Sequence, residues 1–404
     1  MFFLARCRTS WLTKEICCDI KTNSLMKKDI NIQALHLHKK LRGKIEISSK
    51  VKIENKHDLS LIYTPGVAAV STHLALHKNL TSEYTLKNNF IAVISDGSAV
   101  LGLGNIGPEA ALPVMEGKCV LFKHFANIDA VPIVLSTQDP HEIIKIVTGI
   151  APSFGGINLE DIAAPQCFFI EKELKSKLDI PVFHDDQSGA SVVVLAALIN
   201  ALKVAKKDLR KVKIVISGAG AAGSSIVKIL HKKGVENILV CDREGIIYKR
   251  RKGNTKYKEE LAKITNLERL NGNLEDALRG ADIFIGVSSP NLVNQNMVKS
   301  MKKNPIVFAL ANPIPEIMPE KAKHAGALVV ATGRSDYPNQ VNNSLVFPGV
   351  FRGALDHKIK KITMNMLVRA AENLSGLVKK PTVNNIIPSI FDTRVVKVVS
   401  SAIK

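Results

Sequence analysis

The sequence predicts an α/β protein of two domains, the second a doubly wound parallel sheet. Three observations carry that prediction. The chain has 404 residues, too many for one ordinary core. From residue 212 onward, short β-rich runs alternate with helical stretches. A glycine turn, Gly218-Ala219-Gly220-Ala221-Ala222-Gly223, stands between one such strand and the next helix.

Along the chain, Asn31 to Leu41 reads as a helix. Phe90 to Ser95 and Val131 to Leu135 read as strands, and His141 to Thr148 has helical spacing. Pro181-Val-Phe-His starts a further strand. Ser191 to Ala205 reads as a long apolar helix bridging the two domains. Then come strand Val212–Ser217, helix Ser224–Lys233 and strands Asn237–Cys241, Asp282–Val287 and Ile306–Leu310. From Lys358 the pattern is helical and amphipathic. The expected division is 1–25 as an extension or non-native start, disordered; 26–188 as an N-terminal α/β domain; and 189–404 as the sheet domain with its C-terminal helices packing back.

Composition narrows the function classes. No unbroken apolar run reaches the ~18 residues of a membrane span, so no membrane partner is expected. The net charge of +20 invites a nucleic-acid reading. The lysines are nevertheless spread over the whole chain rather than gathered into a stripe, so nucleic acid is not expected either. An anionic substrate and a polyphosphate cofactor account better for whatever part of the charge is functional. The cysteines Cys7, Cys17, Cys18, Cys119, Cys167 and Cys241 form no CxxC pair, which fits a reducing compartment and a cytoplasmic protein. Were residues 1–25 a transit peptide, the alternative would be the mitochondrial matrix; Glu15 and Asp19 speak against that.

Two G-x-G-x-x-G patterns compete. Gly218 to Gly223 follows the run KIVIS and opens a helix, and the next strand ends in an acid, Asp242. That is the context of a Rossmann-type NAD(P)-binding turn. Gly218 allows the turn, Gly220 lets the pyrophosphate approach, and Gly223 lets helix and strand pack closely. The helix N-terminus offers free N–H groups to phosphate. The other copy, Gly102-Leu-Gly104-Asn-Ile-Gly107, runs into Pro108 with no such context; it reads as a backbone turn at the active-site wall. Asp242 favours NAD, because a carboxylate accepts from a ribose 2′-OH. Arg243, Lys249, Arg250 and Arg251 would accommodate the 2′-phosphate of NADP, so both remain open.

Upstream, Glu160-Asp161 and Asp185-Asp186 sit where strand-like segments hand over to loops. Carboxylates without neighbouring lysines suit a hard cation such as Mg²⁺ or Mn²⁺, although such pairs are often helix caps. Lys118, flanked by an apolar run, is a candidate for a lowered pKa and base catalysis; alone, it reads equally as a snorkelling surface lysine. Tyr63 lies in what reads as a β-to-turn segment.

Taken together, YTPGVA at 63–68, SDGSAVLGLGNIGPEAALPVMEGKCVLFK at 95–123, INLEDIAAPQCF at 157–168, PVFHDDQSG at 181–189, GAGAAG at 218–223, FALANP at 308–313 and GRSDYPNQVNNSLVFPG at 333–349 resemble the malic enzymes in their shorter bacterial form. The resemblance runs from about residue 30 to near the C-terminus. It implies oxidation of malate at C2 with NAD(P)⁺, loss of CO₂ from the oxaloacetate formed, and protonation of the enolate to pyruvate. It implies Glu160, Asp161 and Asp186 as metal ligands, Lys118 as general base, and Tyr63 as the acid at C3. Asp185 would orient or tune Lys118. Asn312, Asn342 and Asn343 would lie near the substrate carboxylate and the nicotinamide. A homodimer is expected. Longer animal-type members carry an arginine just before the LGLG segment, where this chain has Ser98-Ala99-Val100. The grip on the second carboxylate is therefore open, with Arg334 the candidate. Two other readings remain: an amino-acid dehydrogenase-like oxidoreductase without the metal triad, and a basic, non-catalytic binding protein on the same fold.

Overall fold

A computed structural model describes residues 29–100 and 102–404. The expectations for residues 1–25, for Cys7, Cys17 and Cys18, and for Leu101 of the LGLG segment lie outside the described residues. The chain up to Val51 and the chain from Lys52 to Lys404 are two separate compact units. In the first, helix α1 (Ile30–Leu41) starts at Asp29, whose side chain accepts from the Asn31 N–H. It ends at Arg42, in the left-handed region.

The second unit opens with α2 (Lys56–Ile62) and α3 (Gly66–Leu76), neither of which buries a residue. Two sheets follow. The first has the order β2-β1-β3-β4, with β1 Phe90–Ser95, β2 Asp129–Val134, β3 Gly156–Leu159 and β4 Val182–His184. All four strands are parallel. The connections run through α4 (Pro108–Ala126), α5 (Pro140–Ile150) and α6 (Gln166–Lys177). The long helix α7 (Ala190–Ala205) leads to the second sheet.

That sheet has the order β10-β9-β8-β5-β6-β7. Its strands are β5 Ile214–Ser217, β6 Ile238–Asp242, β7 Gly245–Ile246, β8 Ile283–Gly286, β9 Ile306–Ala309 and β10 Val329–Thr332. Only the two-residue β7 runs antiparallel. Helix α8 (Ala221–Lys232) follows β5. The order reverses between β5 and β8, the switch point at which such sheets bind ligands. Three helices close the chain: α9 (Phe347–Asp356), α10 (Met364–Ser375) and α11 (Arg394–Ser400).

The two sheets share one apolar core. Ile91, Val93, Met115 and Phe122 of the first sheet's side join Ile214, Ile216 and Phe308 of the second in a single cluster, with α7 running through it. Twelve of the sixteen α7 residues are buried, which explains why its sequence is apolar all round.

Three readings need correction. Tyr63 is not in a β segment: it caps the end of α2, its N–H donating to the Leu59 carbonyl. Helix α4 was not anticipated, because two prolines obscure it. Pro108 occupies its first turn, where an N–H has no partner to lose, and Pro113 removes one ladder bond from the interior. Two stretches, Lys56–Leu76 and Asp185–Ala205, are in fact long and apolar enough to cross a membrane. Polar residues interrupt both, so neither forms an unbroken apolar run. The second is mostly buried inside the fold.

Phe122 packs edge-on against Phe347 and Phe351, with ring centroids 4.7 and 5.4 Å away. It ties α4 to α9 without solvent access. Phe122→Ala is expected to cost about 3–5 kcal/mol, read as a lowered midpoint in urea unfolding; an unchanged midpoint would show that this contact does not hold the core.

Candidate active site

Parallel register brings the acidic pairs together. Leu159 lies opposite both Ile94 and His184, so Glu160 and Asp185 leave adjacent strands at the same carboxyl edge. Glu160 directly follows β3. Asp185 and Asp186 open a single π-helical turn between β4 and α7, a feature common at functional sites. Asp161 has a φ of 52°, an uncommon conformation for a side chain with a Cβ. Its N–H donates to the Asp186 carboxylate at 2.8 Å. Ligand oxygens of Glu160, Asp161 and Asp186 lie within 4.8 Å of one another.

Lys118 meets this cluster from α4. Ala111, Met115, Lys118 and Phe122 form one buried stripe of that helix, so the lysine is carried inward with only 7% exposure. Its Nζ contacts the Asp185 carboxylate, lies 2.5 Å from Glu160, and sits over the Phe347 ring. Burial acts to lower the Lys118 pKa, but Asp185, Glu160 and Asp186 outweigh it and raise it. The lowered value expected from sequence is therefore corrected: the apolar flank was legible, but the surrounding carboxylates were not. Burial, opposed by Lys118, pushes Asp185 up to about 6. Glu160 is raised by burial, with the neighbouring carboxylates adding to it. Three carboxylates, those of Asp185, Glu160 and Asp186, thus act on one ammonium. A divalent cation on the all-oxygen set of Glu160, Asp161 and Asp186 would neutralise the same charges that hold Lys118 protonated.

The cleft above the cluster is lined by Lys118, Glu160, Asp161 and Asp186 and, from the second sheet, by Gly220, Ala221, Ala222, Asn312, Asn342 and Asn343. It adjoins a second pocket that holds Gly218, Ala219 and Asp242; Gly220, Val287 and Ser288 belong to both. Gly218 has a φ of 112°, and a Cβ there would lie 2.6 Å from the Val287 carbonyl. Gly223 packs against the Gly218 carbonyl and stays out of both pockets. In the first fingerprint, the Gly97 carbonyl accepts from the Ile106 and Gly107 N–H groups. Gly102 lies so close to the Asn312 carbonyl that a Cβ would meet it at 1.7 Å.

Asp242 ends β6, but its carboxylate is already engaged. It accepts from Arg251 and from Lys258 at 2.8 Å. Burial opposes the charged form, yet these bonds bring its pKa down to about 2. Arg334 does not reach the cleft lining: its guanidinium pairs with Asp336 and donates to the Pro313 carbonyl. Tyr63 is also outside that lining, at 66% exposure.

Four participants were missed from sequence. Val287 and Ser288 line the cleft directly after β8, and only their place at a strand end in Gly-Val-Ser-Ser marks them. Lys258 needs the fold to bring it back to Asp242. His184 is fully buried, 3.8 Å from Asp186, and burial pushes its pKa down.

A dinucleotide turn at the switch point of the second sheet, facing this cleft, defines a nicotinamide-dependent oxidoreductase of two-sheet α/β build. Residues 42–141 match the family described as "Malic enzyme, N-terminal domain", and residues 187–403 match "Malic enzyme, NAD binding domain". The chain is 53% identical to the bifunctional malic/malolactic enzyme of Bacillus subtilis, over 92% of this chain and 91% of that one. It is 45% identical to the NADP-dependent malic enzyme of Escherichia coli, over 87% of this chain and 47% of that longer one. The solved NAD-dependent malic enzyme of Thermotoga maritima superposes with a TM-score of 0.89 at 52% identity, covering 92% and 98% of the two chains. The chain belongs to the malic enzyme family.

Gly218→Ala places a Cβ in a conformation and a space that exclude it. It is expected to weaken dinucleotide binding by roughly tenfold or more, about 1.4 kcal/mol, in a fluorescence titration with NADH. Unaltered affinity would remove this turn from the cofactor site.

Proposed function

We propose that the chain oxidises malate with NAD⁺ or NADP⁺ and releases pyruvate and CO₂. The observation that carries this reading is Lys118, buried between Glu160 and Asp185 in the same cleft as the Gly220 turn and Asn312. Residues 26–188 supply the acid–base and metal groups, and residues 189–404 supply the dinucleotide site.

Glu160, Asp161 and Asp186 would hold Mg²⁺ or Mn²⁺. Bound there, the cation supplies Lewis-acid polarisation of the substrate's C2 oxygen. Lys118, in its neutral form, takes the C2 hydroxyl proton as the C2 hydride leaves for the nicotinamide. Asp185 holds the ammonium end of Lys118 on course. Asn312, Asn342 and Asn343 offer amides that orient a carboxylate without adding charge. The C3–C4 bond then breaks, CO₂ departs, and its electron pair stays on the enolate. An acid returns a proton to C3.

Tyr63 is that acid, and a second copy of the chain delivers it. The residue caps α2 in the open, beside helices that bury nothing. Leu59, Leu61, Ile62, Val67, Val70 and Leu76 are all exposed there, and an apolar patch of this extent marks an interface. A homodimer covers it and brings the partner's tyrosine to the cleft. Cys167 and Cys241 are free thiols and, like Cys119, buried, in keeping with a reducing, cytoplasmic setting.

Malate oxidation with Mn²⁺, followed by reduced-nicotinamide absorbance, tests the reading. The wild type should turn over, EDTA should stop it, and Lys118→Ala should lose at least ~10³-fold while still binding dinucleotide. Turnover by Lys118→Ala at the wild-type rate would sink the assignment. The delivery of Tyr63 is tested by mixing inactive Lys118→Ala and Tyr63→Phe proteins and allowing subunits to exchange. Each mixed dimer then holds one intact site, so about a quarter of wild-type activity should return. A mixture that stays inactive after verified exchange would place Tyr63 in its own subunit's site.

A further inference from the structure

Behind the wall of the dinucleotide cleft stands an acid that the mechanism above does not use. Glu316 has no solvent exposure. One carboxylate oxygen accepts from the Ser288 N–H at 2.8 Å and from the Ser288 hydroxyl at 3.4 Å. The other accepts from the Ala311 N–H at 3.1 Å. Gly286 makes room for it, since a Cβ at that position would fall 2.4 Å from the Glu316 carboxyl carbon.

These bonds tie together two loops that leave neighbouring strands level with each other. Gly286 at the end of β8 pairs with Ala309 at the end of β9. Ser288 and Ala311 both line the cleft, and Asn312 follows directly. The carboxylate therefore sits one residue behind the lining, on the side of the switch point away from Asp242. In a sheet of this order that side receives the nicotinamide half of the dinucleotide.

Charge is the unusual part. Burial pushes the Glu316 pKa up, but a backbone N–H, which can only donate, points at each oxygen and favours the carboxylate over the acid. No lysine, arginine or histidine forms an ion pair with it among the described residues. An uncompensated buried anion is costly unless hydrogen bonds hold it, as three do here. The oxidised nicotinamide ring carries a positive charge and the reduced ring none. A fixed anion behind the ring's wall therefore interacts with the two forms differently.

We propose that Glu316 is a positioning residue that biases the site toward the oxidised cofactor: it clamps Ser288 and Ala311, and its buried charge favours the cationic nicotinamide over the neutral one. The inference rests on the dinucleotide reading above and adds a direction to it. A site that holds NAD(P)⁺ in preference to NAD(P)H binds the oxidant firmly and releases the reduced product readily.

The test measures dissociation constants for NAD⁺ and NADH, without malate, on the full chain. NADH is followed by its fluorescence and NAD⁺ by competition, with the phosphorylated pair run in parallel. Glu316→Gln keeps the size and removes the charge, so the ratio of the NADH to the NAD⁺ constant should fall about fivefold or more. Glu316→Asp keeps the charge but shortens the reach, so both affinities should weaken while the ratio holds. A purely structural role predicts equal weakening of both forms in Glu316→Gln, and that result would overturn the proposal. So would a ratio that moves in Glu316→Asp as far as in Glu316→Gln; if the glutamine variant does not fold, Glu316→Asn against Glu316→Asp makes the same charge comparison at the shorter length, and equal ratios in those two would overturn the proposal. Failure of the wild type to bind either form would instead overturn the dinucleotide reading itself.

Discussion

The ion cluster around Lys118 is the constraint on which the rest of the site depends. One buried ammonium faces Glu160 and Asp185 in direct contact, with Asp186 close by. Burying charge is tolerable only when partners surround it, so none of these groups can be moved independently. The parallel pairing of β1, β3 and β4 sets both acidic pairs on one edge. The inward stripe of α4 sets the lysine against them. A one-residue slip of β3 against β4 would turn Glu160 to the other face and leave Lys118 buried with half its partners.

The second constraint is rigidity between the halves of the chemistry. A misplacement of about 1 Å between reacting groups can cost on the order of 10²-fold in rate, so a cleft lined by both the carboxylate cluster and the glycine turn has to hold the two rigidly together. The shared apolar cluster meets that demand within the unit from Lys52 onward. Because α7 begins at the π-helical turn bearing Asp185 and Asp186 and continues through the core shared by both sheets, where helix α8 of the glycine turn packs, those carboxylates and that turn are anchored to the same buried helix.

What the sequence revealed follows the range of each signal. The alternation of β5, α8, β6, β8 and β9 was readable because each element is locally periodic, and the observed strands fall within a residue or two of their expected limits. The two-residue β7 is too short for a period to show, whereas β10 was passed over although it is as long as β5, β8 and β9. Helix α4 was hidden by Pro108 and Pro113, although neither disrupts it. Site residues carried by motifs, such as Lys118, Glu160, Asp186 and Asn312, meet in one cleft. Properties that depend on neighbours from distant sequence were not legible: the raised pKa of Lys118, the engagement of Asp242 by Arg251 and Lys258, and the occupation of Arg334 by Asp336.

Asp242 shows how far such a neighbour can change an inference. A lone carboxylate after the second strand of a dinucleotide fold repels a 2′-phosphate and so argues for NAD. Here that charge is met by two cations, Arg251 behind the pocket and Lys258 on its lining. These cations offset the Asp242 charge, with Glu244 also 3.7 Å from Arg251, so Asp242 does not act there as a lone anion. The family contains both NAD-dependent and NADP-dependent members at similar identity to this chain. The acid at the strand end alone therefore does not choose between them.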